Sequence, residues 1–298
     1  MHVRVPTHNS KQYEVIASVV THETPSQQLQ LLLASLSECV GWLQTIVVDN
    51  SPSLELRATV EEHDAIYISA GKNLGFGAGH NIALKTTLDS AKYHLVINPD
   101  ITFKPAVIES LYQFMENHSD LGLVMPRIFY PDGTEQRLCK LLPSPFDLFM
   151  RRFLGSWSNT LFKNHCNRYE LTDLDMGVIR QVPSLSGCFM FIRTSVLREV
   201  GLFDERYFMY LEDVDLCRRI GRVSQTVFNP HVSVVHGYAK GSYQSTKLLK
   251  HHIVSAVKYF SKWGWFHDPE RDQLNRRTAV MESSVFSDGT VISLTETD

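Results

Sequence analysis

Residues 43–53, LQTIVVDNSPS, join a short apolar run to an abrupt polar turn. The run at 43–48 is rich in β-branched residues, which predicts a strand buried in a sheet. The turn formers at 49–52 should end that strand. A similar arrangement occurs at 93–100, YHLVINPD, where another apolar run ends in Asn98-Pro99-Asp100. Both segments therefore predict buried strands whose carboxyl ends carry polar side chains.

The rest of the chain extends this pattern into an alternation of strands and helices. The alternation predicts an α/β fold: a mostly parallel, Rossmann-like sheet flanked by helices, with a C-terminal helical extension. In sheets of this kind, ligands lie beyond the carboxyl ends of the strands. Further strands are predicted at 13–21, 65–68, 186–193 and 232–235, and helices from Ser26, after the turn at 73–79, at 194–200 and at 245–263.

The composition restricts the classes of function. The 298 residues are 43% hydrophobic, enough for one large packed domain. A net charge of −3 gives no global field for nucleic acid, so no nucleic-acid partner is expected. The five cysteines are scattered without CxxC spacing, which favours reduced thiols and a cytoplasmic location. Residues 1–11 do not resemble a secretory signal, and no run approaches the ~20 apolar residues of a membrane span.

Asp100 and His236 are candidate metal ligands because each follows or closes a predicted strand. A carboxylate at the end of a strand is suited to hold a divalent cation against a diphosphate. The cation would neutralise charge on a leaving phosphate. For Asp100 the alternative is an ordinary turn, since Asn, Pro and Asp are all turn formers. For His236 the alternative is a structural imidazole.

Glu212, Asp213 and Asp215 place three acids within four residues, among aromatic and aliphatic neighbours. Apolar surroundings raise the pKa of a carboxyl group, and a carboxylate poised in this way can take a proton from an acceptor hydroxyl. The alternative is a helix N-terminus, where acids interact favourably with the helix dipole. Both interpretations stay open at this stage.

The glycine-rich segment at 75–79, GFGAG, matches a dinucleotide-binding fingerprint only in part. It lacks the glycine at the sixth place, and it follows the third predicted strand instead of the first. A nicotinamide-dependent oxidoreductase is therefore disfavoured. The backbone of this segment is still suited to approach a ligand closely.

The predicted helix at 245–263 lies in a segment, 237–267, that has five lysines and no acidic residue. Such a basic amphipathic helix with terminal aromatic residues suits an anionic membrane surface. The alternative is a packed helix with a solvated lysine face. The basic-aromatic run at 149–154 is a second candidate of this kind, and the polar tail after Asp268 is expected to be loosely held. The apolar face of the predicted helix at 245–263 consists of Leu249, Ile253, Ala256, Val257 and Phe260.

Five blocks in this order resemble the family-2 glycosyltransferases of the GT-A fold. Among them, the chain looks most similar to bacterial rhamnosyltransferases that build lipopolysaccharide or other surface polysaccharides. The resemblance runs from about residue 13 to residue 259. Its blocks are VVDNSPS at 47–53, NLGFGAGHNIAL at 73–84, LVINPD at 95–100, the segment 186–220 and the strand that ends at His236.

The resemblance implies an inverting transfer of a sugar from a nucleotide-diphosphate donor to a glycan or glycolipid acceptor, with dTDP-β-L-rhamnose as the first candidate donor. Asp213 would be the general base, with Glu212 assisting acceptor binding. Asp100 and His236 would hold Mg²⁺ or Mn²⁺. The glycosyltransferase domain would cover 1–236, and the helical extension with its polar tail 237–298. Nucleotide-sugar contacts are implied for Thr21, Glu23, Asp49, Asn73, Gly75, Asn81, Asn98 and Asp100.

Two positions depart from the family pattern. The family often has an acid where this chain has Asn98, so one carboxylate is missing from the implied metal site and His236 becomes more important. The first strand usually ends in an aromatic residue followed by Asn, whereas this chain has His22 and Glu23. Asn98 favours a rival hypothesis, a non-catalytic module that binds nucleotide sugars or glycans. The Glu212–Asp213 pair argues against that hypothesis, because a binding module needs no base there.

Overall fold

A computed structural model describes residues 13–39, 41–150, 163–237 and 246–278. Its strands are β1 (Val15–Thr21), β2 (Leu43–Asp49), β3 (Ile66–Ser69), β4 (Tyr93–Ile97), β5 (Ile101–Thr102), β6 (Leu121–Phe129), β7 (Arg180–Gln181), β8 (Phe189–Arg193) and β9 (Gln225–His236). Its helices are α1 (Ser26–Ser37), α2 (Arg57–Glu61), α3 (Phe76–Thr87), α4 (Ala106–Asn117), α5 (Pro145–Phe149), α6 (Lys163–Tyr169), α7 (Thr194–Val200), α8 (Glu212–Val223), α9 (Thr246–Trp263) and α10 (Pro269–Arg276).

The strands form one sheet in the order β3-β2-β1-β4-β8-β6-β9-β5, with β7 paired to β9. β1 is parallel to β2 and β4, and β2 is parallel to β3. β8 runs antiparallel to β4 and β6, while β6 and β9 are parallel. The side chains of Val19, Val47 and Leu95 are fully buried, as expected for central strands covered on both faces. The predicted α/β fold is confirmed, with a parallel first half and a mixed second half.

The register of the strands brings the predicted polar ends to one edge of the sheet. Thr21 lies beside Asp49 at the ends of β1 and β2. β9 is irregular, because its pairing with β6 shifts after Pro126. Such a shift adds unpaired residues and bends the strand. His236, at the end of β9, thereby lies opposite Ile101, directly after the turn at 98–100.

Several elements differ from the sequence prediction in extent. β9 begins at Gln225, well before the predicted start at 232, because Asn229 and Pro230 interrupt the apolar pattern at the bend. β8 begins at Phe189 instead of residue 186. α4 and β6 were not predicted, and β6 contains Pro126, a residue uncommon inside strands.

The expectation of a loosely held tail is wrong for residues 269–276, which form α10. Charge pairs, not an apolar period, order this helix. The buried Arg218 guanidinium donates to both oxygens of Asp268, at 2.7 and 2.6 Å, and to Glu270 at 2.9 Å. Asp268 also caps the helix by accepting from the Arg271 N–H at 3.0 Å. A buried, bidentate ion pair of this kind is not visible as sequence periodicity.

Candidate active site

The ends of β1, β2 and β3 and the turn into α3 form what we call the β1–β3 corner. Asp49 is fully buried there. Its carboxylate accepts hydrogen bonds from the Thr21 hydroxyl at 3.1 Å, the Ser51 N–H at 2.9 Å and the Tyr67 hydroxyl at 2.8 Å. Burial, and then the bond to Asp49, raises the pKa of Tyr67 to about 12. Asp49 is thus engaged by protein groups and holds the corner together.

The other predicted contacts of this corner lie along its rim. Glu23 is exposed with a φ of 52°, and its N–H donates to the Ser51 hydroxyl at 2.8 Å. Asn73 accepts from the Gly75 N–H at 2.9 Å. The Asn50 side chain donates to the Gly75 carbonyl at 3.0 Å, while its own Oδ1 is buried without a hydrogen-bond partner. The rim therefore combines an ordered backbone with one unpaired amide oxygen.

Gly75, directly before α3, and Gly77, within it, are explained by packing against the loop at 203–211. Gly75 has a φ of 86°, and a Cβ there would lie 2.0 Å from the Phe208 carbonyl oxygen. A Cβ on Gly77 would lie 2.9 Å from Cβ of Phe203. Any larger residue would displace this loop, which leads directly into Glu212. The glycine-rich segment thus sets the position of the acidic residues.

Asn81 supports the same loop. Its amide nitrogen donates to the Phe203 carbonyl and to the Glu205 carboxylate, both at 2.9 Å, and its oxygen accepts from the Phe203 N–H at 3.1 Å. The side chain is buried. These contacts give Asn81 a role in holding the loop, and its contact with a donor stays a prediction.

The turn after β4 and the end of β9 form a second site, the β4–β9 corner. Asp100 Oδ1 lies 3.2 Å from Nε2 of His236, and the Asn98 side-chain nitrogen lies 3.3 Å from the same Nε2. The Gly237 N–H donates to the Asp100 carbonyl at 2.8 Å. Asp100 Oδ1 is buried and lacks a hydrogen bond of good geometry among the described residues. The structure therefore brings together the two predicted metal ligands and Asn98.

Gln136 fixes which nitrogen of His236 carries the proton. Its amide nitrogen donates to the His236 main-chain carbonyl at 2.8 Å, which sets the orientation of the amide. Its Oε1 lies 2.9 Å from Nδ1 of His236 and must accept from it. Neutral His236 therefore carries its hydrogen on Nδ1, and its Nε2, which lies beside Asp100, accepts from the Asn98 side-chain nitrogen.

This donor set fits a divalent cation in part. Among the described residues, no three His, Cys, Asp or Glu side chains converge as a metal cluster. Asp100 and His236 form a pair instead, consisting of one buried, unpaired carboxylate oxygen and one imidazole lone pair. Both are ligand types that Mn²⁺ accepts. The pair would leave further positions to ligand oxygens and water.

The acidic residues open α8, directly after a strained turn. Tyr210 and Leu211 both adopt left-handed backbone conformations, with φ of 70° and 68°. Such conformations are costly for non-glycine residues and often occur at functional sites. Asp213 Oδ2 accepts from the Gly187 N–H at 2.9 Å, while Glu212 Oε2 is buried without a partner. The turn thus holds a carboxyl pair at the edge of the sheet, with Glu212 buried and Asp213 half-buried.

The environments of Glu212 and Asp213 differ. Burial, and then the charge of Asp213, raises the pKa of Glu212 well above its usual range. Burial also raises the pKa of Asp213, but hydrogen bonds from the N–H groups of Gly187 and Val214 oppose that shift. Because both oxygens of Asp213 accept N–H bonds and Glu212 Oε2 has none, we assign the negative charge of the pair to Asp213 and the proton to Glu212.

Asp215 is separate from this pair and confirms the structural alternative for one member of the acidic cluster. It is fully buried and accepts from Arg219 at 2.8 Å, from Lys262 at 2.7 Å and from the Trp263 indole at 2.8 Å. These bonds tie α8 to α9. Asp215 thus has a packing role, and the chemical role is left to its two neighbours.

Asp213 and the β4–β9 corner meet at residues 187–188. The Gly187 N–H bonds to Asp213, and the Cys188 carbonyl accepts from the Asn98 N–H at 2.9 Å. After burial, the charges of Asp100 and Asp213 both contribute to raising the pKa of Cys188 to about 12. Asp100, His236 and Asp213, far apart in the chain, therefore lie at one edge of the sheet.

Comparison with known proteins identifies the class of this chain. The family model described as Glycosyl transferase family 2 matches residues 5–201. This range is more than half of the 298 residues. The chain therefore belongs to glycosyltransferase family 2, and it is a glycosyltransferase.

Its curated relatives are transferases of modest identity. The chain is 27% identical over 284 residues to an N-acetylglucosaminyl-diphospho-decaprenol L-rhamnosyltransferase of Mycobacterium tuberculosis, covering 90% of this chain and 91% of the relative. It is 26% identical over 246 residues to Rhamnosyltransferase WbbL of Escherichia coli, covering 78% and 88%. It is 25% identical over 256 residues to a low-salt glycan biosynthesis hexosyltransferase of Haloferax volcanii, covering 83% and 77%.

Solved structures support the fold. A mannosyltransferase from Pyrobaculum calidifontis, solved with GDP-Man and Mn²⁺, aligns with a TM-score of 0.56 and 13% identity, covering 90% of this chain and 69% of that chain. TarS of S. aureus, residues 1–349, aligns with a TM-score of 0.53 and 13% identity, covering 88% and 69%. At this identity the likeness concerns the fold alone.

Two residues of the site were not predicted. Asn50 is part of the VVDNSPS block, and its position beside Asp49 after a buried strand was a usable signal. Gln136 lies in the irregular middle of the chain and contacts a histidine 100 residues away. No local pattern marks such a contact, because its partner is brought close only by the bend in β9.

Proposed function

We propose that this glycosyltransferase moves L-rhamnose from dTDP-β-L-rhamnose to a lipid-linked or polysaccharide acceptor with inversion at the anomeric carbon. The observation that carries the proposal is the carboxyl pair at the start of α8, in which both oxygens of Asp213 accept backbone N–H bonds while the buried Glu212 Oε2 has no hydrogen-bond partner. A charged carboxylate beside a buried neutral one is suited to act as a general base. The rhamnosyltransferases among its relatives support the choice of sugar.

The reaction is a single displacement. Asp213 takes the proton of the acceptor hydroxyl as its oxygen bonds to the anomeric carbon, and the bond from that carbon to the nucleoside diphosphate breaks on the opposite face. Glu212 binds the acceptor beside the base. The bonds from Gly187 and Val214 keep the Asp213 carboxylate in place. The products are the glycosylated acceptor and the nucleoside diphosphate.

Asp100 and His236 would hold a divalent cation, which when bound neutralises negative charge on the diphosphate. The proposal rests on the buried, unpaired Asp100 oxygen and on the His236 lone pair that Gln136 fixes. An imidazole ligand favours Mn²⁺ over Mg²⁺, which binds oxygen ligands almost alone. Asn98 supplies no negative charge, so we expect weaker metal binding than at a site with a second carboxylate.

The β1–β3 corner would bind the nucleotide. Thr21, Glu23 and Asp49 surround the end of β1, and Asn73 with Gly75 orders the neighbouring turn. The unpaired Asn50 oxygen offers an acceptor to a base or ribose donor. Asn81 would act at this site through the loop that it holds.

The location is proposed to be the cytoplasm, with docking on a membrane surface as a further step. Among the helices of the described chain, none combines the length and apolar character that a bilayer span requires. The division into a domain at 1–236 and an extension at 237–298 also stays a proposal. α10 bears on it, because Asp268 and Glu270 of the extension pair with Arg218 of α8.

The test is a thermal-shift panel of nucleotide sugars with Mg²⁺ or Mn²⁺, followed by a transfer assay with the donors that bind. A ligand specific for the folded state raises the melting temperature in proportion to its affinity and concentration. We expect dTDP-rhamnose with Mn²⁺ to give the largest shift and an α-linked product. Binding without product or hydrolysis would favour the non-catalytic module, and a larger shift with another sugar would overturn the assignment of rhamnose.

A further inference from the structure

Helix α9 has two apolar faces, only one of which is packed in the protein. Ser255, Tyr259 and Phe260 are buried, and Tyr259 and Phe260 pack in one cluster with Leu148 and Leu211. Ile253, Val254 and Val257 are 44%, 41% and 47% exposed. At 100° per residue these three lie on one side of the helix, roughly opposite Tyr259. The apolar face expected from the sequence is therefore split between the core and the surface.

The outward face is not a solvated lysine face. Val254 and Val257 lie at its centre with the exposed Lys250 beside them, and the exposed Lys258 lies at the margin, where its ammonium also donates to the Arg206 carbonyl. Residues 246–267 contain no Asp or Glu. The acids that α9 contacts are on its inner side, where Lys262 pairs with Asp204 and Asp215. The exposed surface thus combines β-branched aliphatic side chains with positive charge only.

Two exposed aromatic residues follow the helix in the chain. Trp265 is 40% and Phe266 93% exposed, an unusual degree for phenylalanine. Aromatic side chains at the end of a basic, apolar helix face are typical of helices that lie in the headgroup region of a bilayer. Lysine ammonium groups beside them would contact anionic headgroups.

We propose that the outer face of α9, formed by Lys250, Ile253, Val254, Val257 and Lys258 with Phe266 at its end, docks on an anionic lipid bilayer. A second copy of the same face would bring lysines of like charge together, because residues 246–267 contain no acidic residue. Membrane binding goes beyond the proposed transfer reaction and does not depend on the identity of the sugar.

Docking here would place the catalytic residues near the bilayer. α9 holds the loop before Glu212: the Ser255 hydroxyl donates to the Met209 carbonyl at 2.7 Å, and the His251 ring stacks on Phe208 at 4.6 Å. This loop leads into the strained turn that presents Glu212 and Asp213. A bilayer on the outer side of α9 would thus lie on the far side of the helix that holds this loop. The chemistry suits an acceptor whose lipid part stays in the membrane.

The test is flotation of the full chain with vesicles of phosphatidylcholine, alone or mixed equally with phosphatidylglycerol. We expect binding to the mixed vesicles that weakens with added salt. Val254→Asp with Val257→Asp should reduce the affinity by at least about tenfold, and Lys250→Ala by about fivefold. Leu31→Asp is the matched control, because Leu31 is 57% exposed on α1, and it should bind as the unmodified chain does.

Sedimentation velocity tests the alternative occupant of this face, a second copy of the chain. Equal binding of the double aspartate variant and the unmodified chain, or no binding of the unmodified chain to anionic vesicles, would overturn the proposal. So would self-association that the double variant abolishes while vesicle binding is unchanged. If the double aspartate variant has a lowered melting temperature, Lys250→Ala still tests the proposal, because it removes a charge and no apolar contact. The assay contains no sugar donor, so failure of the transfer proposal leaves its result intact.

Discussion

The two corners of the site differ in how far protein groups pair their buried carboxyl oxygens. In the β1–β3 corner, Asp49 accepts three protein hydrogen bonds. In the β4–β9 corner and the adjoining acid pair, the buried Asp100 Oδ1 and Glu212 Oε2 lack a hydrogen-bond partner. Buried polar atoms are normally paired, so the exceptions call for a ligand or a proton. The carboxylate of the β1–β3 corner therefore has a structural role, whereas the carboxyl groups of the β4–β9 corner and the acid pair are available to a ligand or a proton.

The largest effect should follow removal of the charge from Asp213. In Asp213→Asn the hydrogen bond to Gly187 and the side-chain size are nearly kept, but the base is lost. We expect kcat to fall by at least about 1,000-fold while the donor affinity changes little, as measured by transfer kinetics and donor titration.

Glu212→Gln is the matched control for that variant. Because Glu212 already carries the proton, its amide replacement should keep kcat within about tenfold of the unmodified chain. Near-normal turnover in Asp213→Asn would refute its role as base. An equal loss of kcat in Glu212→Gln would show that our assignment of the charge to Asp213 and of the proton to Glu212 is wrong.

Asp49→Ala should reduce stability, because it leaves the Thr21 and Tyr67 hydroxyls and the Ser51 N–H without their acceptor. Unpaired buried groups of this kind cost about 3 kcal/mol in total. Urea unfolding measures the loss. A stable variant whose only defect is donor binding would show instead that Asp49 serves the ligand, and the contrast between the corners would fail.

Asp100→Ala should behave in the opposite way. One oxygen of this half-buried carboxylate is buried and poorly paired, so its removal should leave the free energy of unfolding unchanged or raised. Donor affinity should fall by about 100-fold with Mn²⁺ present and hardly at all with a chelator. Calorimetric titration in both conditions tests this, and an affinity that does not depend on Mn²⁺ in the unmodified chain would argue against the metal site.

Gln136→Leu tests the positioning of His236. Leucine keeps the volume but removes the acceptor for Nδ1–H, so the hydrogen is free to move to Nε2 and block the lone pair. Loss of such a partner typically weakens metal binding by about 10- to 100-fold. The direct readout is the imidazole nitrogen chemical shifts, which should report a mixture of tautomers. Gln136→Glu restores an acceptor and should restore Mn²⁺ binding; equal loss in both variants would indicate a merely structural role.

The fold was predictable because its first half consists of local signals. β1, β2, β4 and α7 are short apolar or amphipathic segments with turn formers at their ends, and the structure places them close to the predicted bounds. The sequence marks the glycines at 75 and 77 as a motif, but it does not show why glycine is required at these positions. They face the loop at 203–211, and contact across more than a hundred residues leaves no local pattern.

The unpredicted parts depend on long-range contacts. α10 is ordered by Arg218, and β9 is longer than its apolar run because pairing with β6 resumes after the bend. Likewise the sequence identified three acids without separating their roles. Only the contacts of Asp215 with Lys262 and Trp263 distinguish it from the neighbouring pair.

The smallest expected effect is the pH dependence of the free energy of unfolding. Two buried groups, His94 and Glu212, contribute to it with opposite signs. Burial lowers the pKa of His94 to about 3, so only the unfolded chain binds its proton between about pH 6.5 and 3. Stability from this group is therefore lost as pH falls through that window. The raised pKa of Glu212 has the reverse effect: above about pH 4.5 the folded chain keeps a proton that the unfolded chain releases, so stability is lost as pH rises.

Urea unfolding at pH 5 and pH 7 separates the two groups. Relative to the unmodified chain, Glu212→Gln should gain about 2 kcal/mol on going from pH 5 to pH 7, and His94→Gln should gain about 2 kcal/mol in the opposite direction. His94 bonds to Ser18 at 2.7 Å inside the core, so its replacement lowers stability at both values and only the difference is informative. If Glu212→Gln followed the same sign as His94→Gln, the proton would not reside on Glu212. The charge on which the proposed base depends would then lie elsewhere in the pair.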